Sequence, residues 1–169
     1  MTTGTEVEFI GFGDGCRVQG RVDLDDARLA DLLNRQPRIL VRDAVVVRTS
    51  DGYTRAFGQL EVGRDELDIV VAGGPRGDPK RRRATTCDCV SMQLGAYCAE
   101  GFMHAPKSAA AAASLEDAPP MVALTDAVLE YEFRDETVSE WFRTLLVNRE
   151  LATSIRTVAC SEDLAASLA

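Results

Sequence analysis

A chain of 169 residues with 46% hydrophobic and 27% charged side chains has globular proportions, which excludes a disordered polymer too poor in apolar surface to offset its ordering entropy. Its formal net charge of -8 repels phosphate backbones and argues against general nucleic-acid binding, and no apolar run reaches the roughly 18 residues that insertion of a membrane helix requires. The opening residues carry neither the basic nor the apolar region of a secretory signal, and the odd count of five cysteines points to reduced thiols and a cytoplasmic location.

Val7 to Phe12 alternates in polarity and ends in glycine, which predicts a strand. Cys16 to Val22 predicts a second, so Gly13-Asp14-Gly15 becomes a hairpin connection. Asp23 to Asn34 predicts a short helix, with aspartates at the end that the helix dipole favours and one of them as a cap. Leu29, Leu32 and Leu33 give it one apolar stripe, Asn34 suits the left-handed position at its end, and Pro37 prevents continuation. Ile39 to Val47 is a β-branched strand, Asp51-Gly52 signals a type I′ turn, and the strands Thr54 to Val62 and Leu67 to Ala72 complete the order β-β-α-β-β-β.

This order is expected to occur twice. Pro37 to Val45 and Pro120 to Val128 share Pro, an apolar run and Asp-Ala-Val at a constant offset (126 − 43 = 83). Ala30 and Leu32 match Ala113 and Leu115 at that offset. Gln19-Gly20 resembles Glu100-Gly101, and Gly63-Arg64-Asp65 resembles Asn148-Arg149-Glu150. The expected organisation is a β-rich repeat over 1–73, a Gly/Pro/Arg linker over 74–86, a second repeat over 87–159 and a tail over 160–169. One segment is contradictory: Val138, Trp141, Phe142, Leu145 and Leu146 have helical spacing, but the repeat aligns 137–147 with the Thr54 to Val62 strand, and we read a strand. A single unit of this size buries too little surface to be stable alone. The expected fold is therefore mainly β (α+β), as two tandem small barrel-like units packed together.

Arg28-Leu29-Ala30-Asp31-Leu32-Leu33-Asn34 followed by Leu40-Val41-Arg42-Asp43-Ala44-Val45 resembles a group of uncharacterised bacterial cytoplasmic β-domains with an RLxDxLN…LxDAxV pattern. Val41-Arg42 stands where a Leu-Thr-like pair is usual. The second half keeps Leu124-Thr125-Asp126-Ala127-Val128 but has Ala109 to Ala113 in place of the Arg-Leu part. The resemblance implies a bacterial cytoplasmic protein and no particular activity.

Three groups of residues bear on chemistry. Asp43 and Asp126 are read as repeated structural residues that accept hydrogen bonds from loop amides and pin the preceding loop to the strand, with a surface charge and a pair of catalytic carboxylates as the other readings. Cys87, Cys89, Cys98 and His104 are a weak candidate for a metal or thiol site, because Cys-x-Cys lies outside the usual zinc spacing and His104 is the one histidine available to a nucleophile. Lys80, Arg81, Arg82 and Arg83 are the one basic cluster, either a solvated loop or a dock for an anion, nucleotide or acidic partner. No phosphate-cradling loop leads into a helix, and no cofactor is called for. The expected function is therefore a non-enzymatic protein-interaction module, an adaptor or regulatory protein. Its strand edges invite a protein partner or a second copy. The alternatives are an anion- or nucleotide-binding sensor using Arg81 to Arg83, and a Cys/His metal or thiol protein.

Overall fold

The computed structural model of the chain describes residues 4–73, 85–106, 115 and 117–159. They build one antiparallel sheet from β1 (Glu6–Gly13), β2 (Cys16–Asp23), β3 (Arg38–Arg48), β4 (Thr54–Gly63), β5 (Ile69–Val71), β6 (Thr85–Leu94), β7 (Tyr97–Pro106), β8 (Met121–Phe133), β9 (Glu136–Asn148) and β10 (Ser154–Thr157), with one helix, α1 (Leu29–Arg35), between β2 and β3. The chain is mainly β, as expected. The order across the sheet is β10-β6-β7-β8-β9-β5-β1-β2-β3-β4. The first half thus runs β5-β1-β2-β3-β4 and the second β10-β6-β7-β8-β9, the same order, joined where β5 pairs with β9. The sheet is open, with β10 and β4 at its edges. This corrects the expectation of barrel-like units: neither half closes on itself, because the outer side of β5 is occupied by β9 rather than by β4.

Register makes the correspondence specific. Ala44 faces Phe57 across β3–β4, and Ala127 faces Phe142 across β8–β9. Phe12 faces Ile69 across β1–β5, and Gln93 faces Ser154 across β6–β10. In both halves an arginine after the fourth strand secures the segment before the third. Arg64 donates to the carbonyls of Leu33 and Asn34 (3.1 Å each), and Arg149 to those of Ala118 and Pro119 (2.7 and 3.1 Å).

The Asp-Ala pairs mark a shared β-bulge. Asp43 and Asp126 have φ of 48° and 47°, the left-handed region that Asp tolerates better than most residues. At both places the pairing with the preceding strand shifts by a residue, opposite Gly20 and Gly101. The glycines are required there. A Cβ on Gly20 would lie 2.6 Å from the Arg42 carbonyl oxygen, and one on Gly101 would lie 2.8 Å from Ala127 Cβ. The pair therefore bends a strand rather than tying down a loop. The Asp43 carboxylate accepts from Arg21, an exposed contact that, with Glu6 nearby, raises the Arg21 pKa.

Local departures have local causes. Asp14-Gly15 has positive φ at both residues (49° and 69°), as a type I′ turn demands. At Asp51-Gly52 only the glycine does (74°). There Asp51 accepts from the Tyr53 amide instead (2.9 Å), in a wider turn. The helix begins at Leu29, later than expected, because Asp25 and Asp26 take positive φ and Asp23 accepts from the Asp25 amide (3.1 Å). The aspartates form a turn, and no side chain caps α1. Asn34 remains helical instead of ending α1. Over 137–147 the chain is strand: its apolar residues serve two faces, Leu145 and Val147 in one core and Leu146 in the other.

These two cores interlock. Phe12 and Ile69 of the first half are buried in the core of the second, against Tyr97, Leu129 and Val147. Met121 and Leu146 of the second half lie in the core under α1. Asn34 fastens the junction by accepting from the Met121 amide (2.9 Å) and donating to its carbonyl (3.2 Å). Asn148, 1% exposed, donates to the carbonyls of Arg64 and Leu67 (3.1 and 3.2 Å).

Candidate protein-interaction site

The residues singled out for chemistry do not converge. Asp43 and Asp126 occupy separate bulges on β3 and β8, five strands apart in sheet order, so they do not form a carboxylate pair. Cys87 and His104 are cross-strand neighbours on β6 and β7, and Cys89 is opposite Phe102. Cys98 is six residues from His104 along β7, roughly 20 Å at about 3.3 Å per residue. It faces Gln93 and approaches the Ser91 hydroxyl (3.6 Å). The His104 imidazole meets the Thr125 hydroxyl (2.8 Å). A four-ligand site from Cys87, Cys89, Cys98 and His104, or a Cys98–His104 nucleophile pair, is therefore out of reach on this strand geometry. Among the described residues no three His, Cys, Asp or Glu side chains are grouped to hold a metal ion. Lys80, Arg81, Arg82 and Arg83, with the remainder of 74–84, lie outside the described residues.

What the fold does present is an unused strand edge beside an apolar groove. The outer side of β4 pairs with nothing among the described residues. Its geometry follows from β9, its counterpart. There the Asn148 amide donates to the Asp68 carbonyl (2.9 Å), and the Thr144 carbonyl accepts from the Ala72 amide (3.1 Å). Residues 144, 146 and 148 thus direct their backbone groups to β5. With Phe142 matching Phe57 (142 − 57 = 85), the corresponding outward residues of β4 are Gln59, Glu61 and Gly63.

Beside this edge lies a groove of about 530 Å³, with Val18, Val46, Leu60 and Leu67 in its lining and Arg48 and Arg55 among its polar residues. Arg48 lies over Tyr53 and Arg55 over Phe57, at 5.2 and 4.9 Å from the ring centroids. Such contacts keep exposed aromatic faces covered by a cation. The same place in the second half is full. There Ala99, Leu129 and Leu145 stand for Val18, Val46 and Leu60, and Phe12 and Ile69 enter from across the junction. Phe12 packs 5.8 Å from Tyr97 and 5.3 Å from Tyr131. Burial beside these rings, with the charge of Asp68 adding to it, pushes the Tyr97 phenol up to about 12.

The sequence signalled strand edges in general but not this groove, because it depends on which strand ends the sheet. The usable signal was the repeat itself: two like units in one chain can use one of their matching surfaces internally and leave the other exposed. No family model matches the chain, and no curated protein or solved structure matches it.

Proposed function

We propose that the chain is a non-enzymatic protein-interaction module, an adaptor or regulatory protein built by duplication of one small β unit, and that it works by accepting a partner strand along β4. The observation that supports this most is the apolar surface groove beside β4, whose counterpart in the second half takes Phe12 and Ile69. Strand addition draws affinity from main-chain hydrogen bonds and specificity from pockets for alternate side chains. The β4 edge offers both, in its outward backbone at Gln59 and Glu61 and in the apolar lining beside them, while the Gly63 amide at the end of the edge already donates to the Glu66 carboxylate (2.7 Å). A bacterial cytoplasmic setting is part of the same reading and rests on the resemblance of the Arg28 to Val45 segment.

The test is an edge block. Glu61→Pro removes an outward N–H and leaves the β3 ladder intact, since an edge strand tolerates proline where the N–H faces away from its neighbour. A host protein captured by the wild-type chain should bind it again when both are purified, and should lose the Glu61→Pro variant at an unchanged melting temperature. Equal binding by Glu61→Pro removes β4 as the site. Recovery of a small molecule in place of a protein removes the interaction reading.

A further inference from the structure

We infer that the chain binds a second copy of itself head to tail, β4 of one copy receiving β10 of the next in the antiparallel register that β9 and β5 use inside the chain. The inference rests on the strand-addition reading and names its occupant. Its basis is that the two open edges are counterparts of the two edges already joined. β4 corresponds to β9, which accepts, and β10 corresponds to β5, which is inserted. Inside the chain Ile69, Val70 and Val71 pair with Val147, Leu146 and Leu145. Between copies the same register sets Ser154, Ile155 and Arg156 against Val62, Glu61 and Leu60. A heterologous contact of this kind repeats until it closes a ring or continues as a filament.

Side chains at the two edges have changed together. Inside, Phe12 fits between Tyr97 and Tyr131. At the free surfaces their counterparts are Gln93 on the inserting side, and Cys16 and Arg48 on the accepting side, so an aromatic trio becomes a polar one with an amide opposite a guanidinium. Inside, Asn34 holds the Met121 backbone. Asp117 stands at the place of Asn34 (117 − 34 = 83, the offset of Leu32 to Leu115 and Pro37 to Pro120). Arg38, exposed and paired with Glu61 at 3.0 Å, stands at the place of Met121. An acid on the inserting side therefore faces a base on the accepting side. The covalently linked junction is apolar, and the junction between copies is polar and charge-matched, as reversible interfaces are compared with obligate ones. Salt weakens such a contact.

Complementation between two blocked variants tests this. Glu61→Pro disables the accepting edge only, and Ile155→Pro the inserting edge only, since 155 corresponds to 70 and faces outward. Mass photometry and sedimentation equilibrium should give concentration-dependent multiples of 18.3 kDa for the wild type, and monomers for each variant alone at an unchanged circular dichroism spectrum. The two variants mixed should form a 1:1 complex that grows no further. A wild-type chain that stays monomeric at millimolar concentration overturns the inference. So does a variant that still forms the wild-type multiples, or a mixture that stays monomeric. If the chain is monomeric but a purified foreign partner binds wild type and not Glu61→Pro, only the self-association fails. If no partner binds either, the strand-addition reading fails with it.

Discussion

Truncating Phe12 to alanine measures how far the first half stabilises the second. The ring has no exposed surface and sits 5.8 and 5.3 Å from Tyr97 and Tyr131. An aromatic side chain buries about 150–250 Å², or about 4–6 kcal/mol at about 25 cal/mol per Å². Alanine keeps the first carbon and leaves a cavity, so the net loss should be about 3–5 kcal/mol. For a chain of this length that is a fall in Tm of about 6–20 °C, at about 2–4 °C per kcal/mol. Urea denaturation should be followed by circular dichroism, which reports both halves, and by fluorescence of Trp141, the sole tryptophan, on β9 of the second half. Although Phe12 belongs to β1, both midpoints should move together. A loss below about 1 kcal/mol, or a Trp141 transition that stays in place while the dichroism shifts, would refute the interlocked core.

Gly20→Ala should cost about 1–3 kcal/mol by urea denaturation and more than Gly101→Ala, because its new methyl meets a backbone carbonyl 2.6 Å away whereas that of Gly101 meets a side-chain methyl at 2.8 Å; the reverse order contradicts the bulge geometry. Asp126→Val should cost about 1–2 kcal/mol at its left-handed φ of 47°, and Asp126→Asn should be close to neutral in the same denaturation assay. Asn148→Ala leaves the buried Leu67 carbonyl without its side-chain donor, while the Arg64 carbonyl keeps the Leu67 amide (3.1 Å), and should lower stability by about 1–3 kcal/mol in chemical unfolding. The Tyr97 phenol, raised from 10.0 to about 12 by burial first and Asp68 second, keeps its proton in the folded chain at a pH where the unfolded chain has released it. Its contribution is therefore complete below pH 10 and is lost as pH rises through about 12. Tyr97→Phe should flatten the alkaline limb of a stability–pH curve, and an unchanged limb removes Tyr97 as its source.

Much of the strand pattern is legible because hydrophobic alternation and turn chemistry are local. Cys16 to Val22, Ile39 to Val47 and Thr54 to Val62 fall within observed strands, and Asp14-Gly15 forms the tight turn that its residues favour. Where the reading failed, a competing local bond or a distant partner decided. Asp23, Asp25 and Asp26 bond within a turn before they can begin a helix. Asn34, chosen as a helix terminator, is instead held in the helix with its amide on Met121, 87 residues away. The Asp-Ala pairs could be seen to repeat, but their role depends on Gly20 and Gly101 across the ladder, and no local pattern reveals that. The open sheet was not legible, since barrel closure and head-to-tail joining use the same strands and differ only in which edge β5 meets. The groove beside β4 follows from that choice and was hidden with it.

The seam at β5 also has a consequence for biosynthesis. Ile69 to Val71 leaves the ribosome well before Leu145 to Val147, Leu145 lying 74 positions after Val71 (145 − 71 = 74). Through that interval Phe12 and Ile69 lack the lining they fill, and a nascent chain carries a sticky flank that another nascent chain could cover. Slow translation of the latter half should therefore favour swapped assemblies over correctly paired ones, and the yield of native chain should depend on how quickly β9 follows β5.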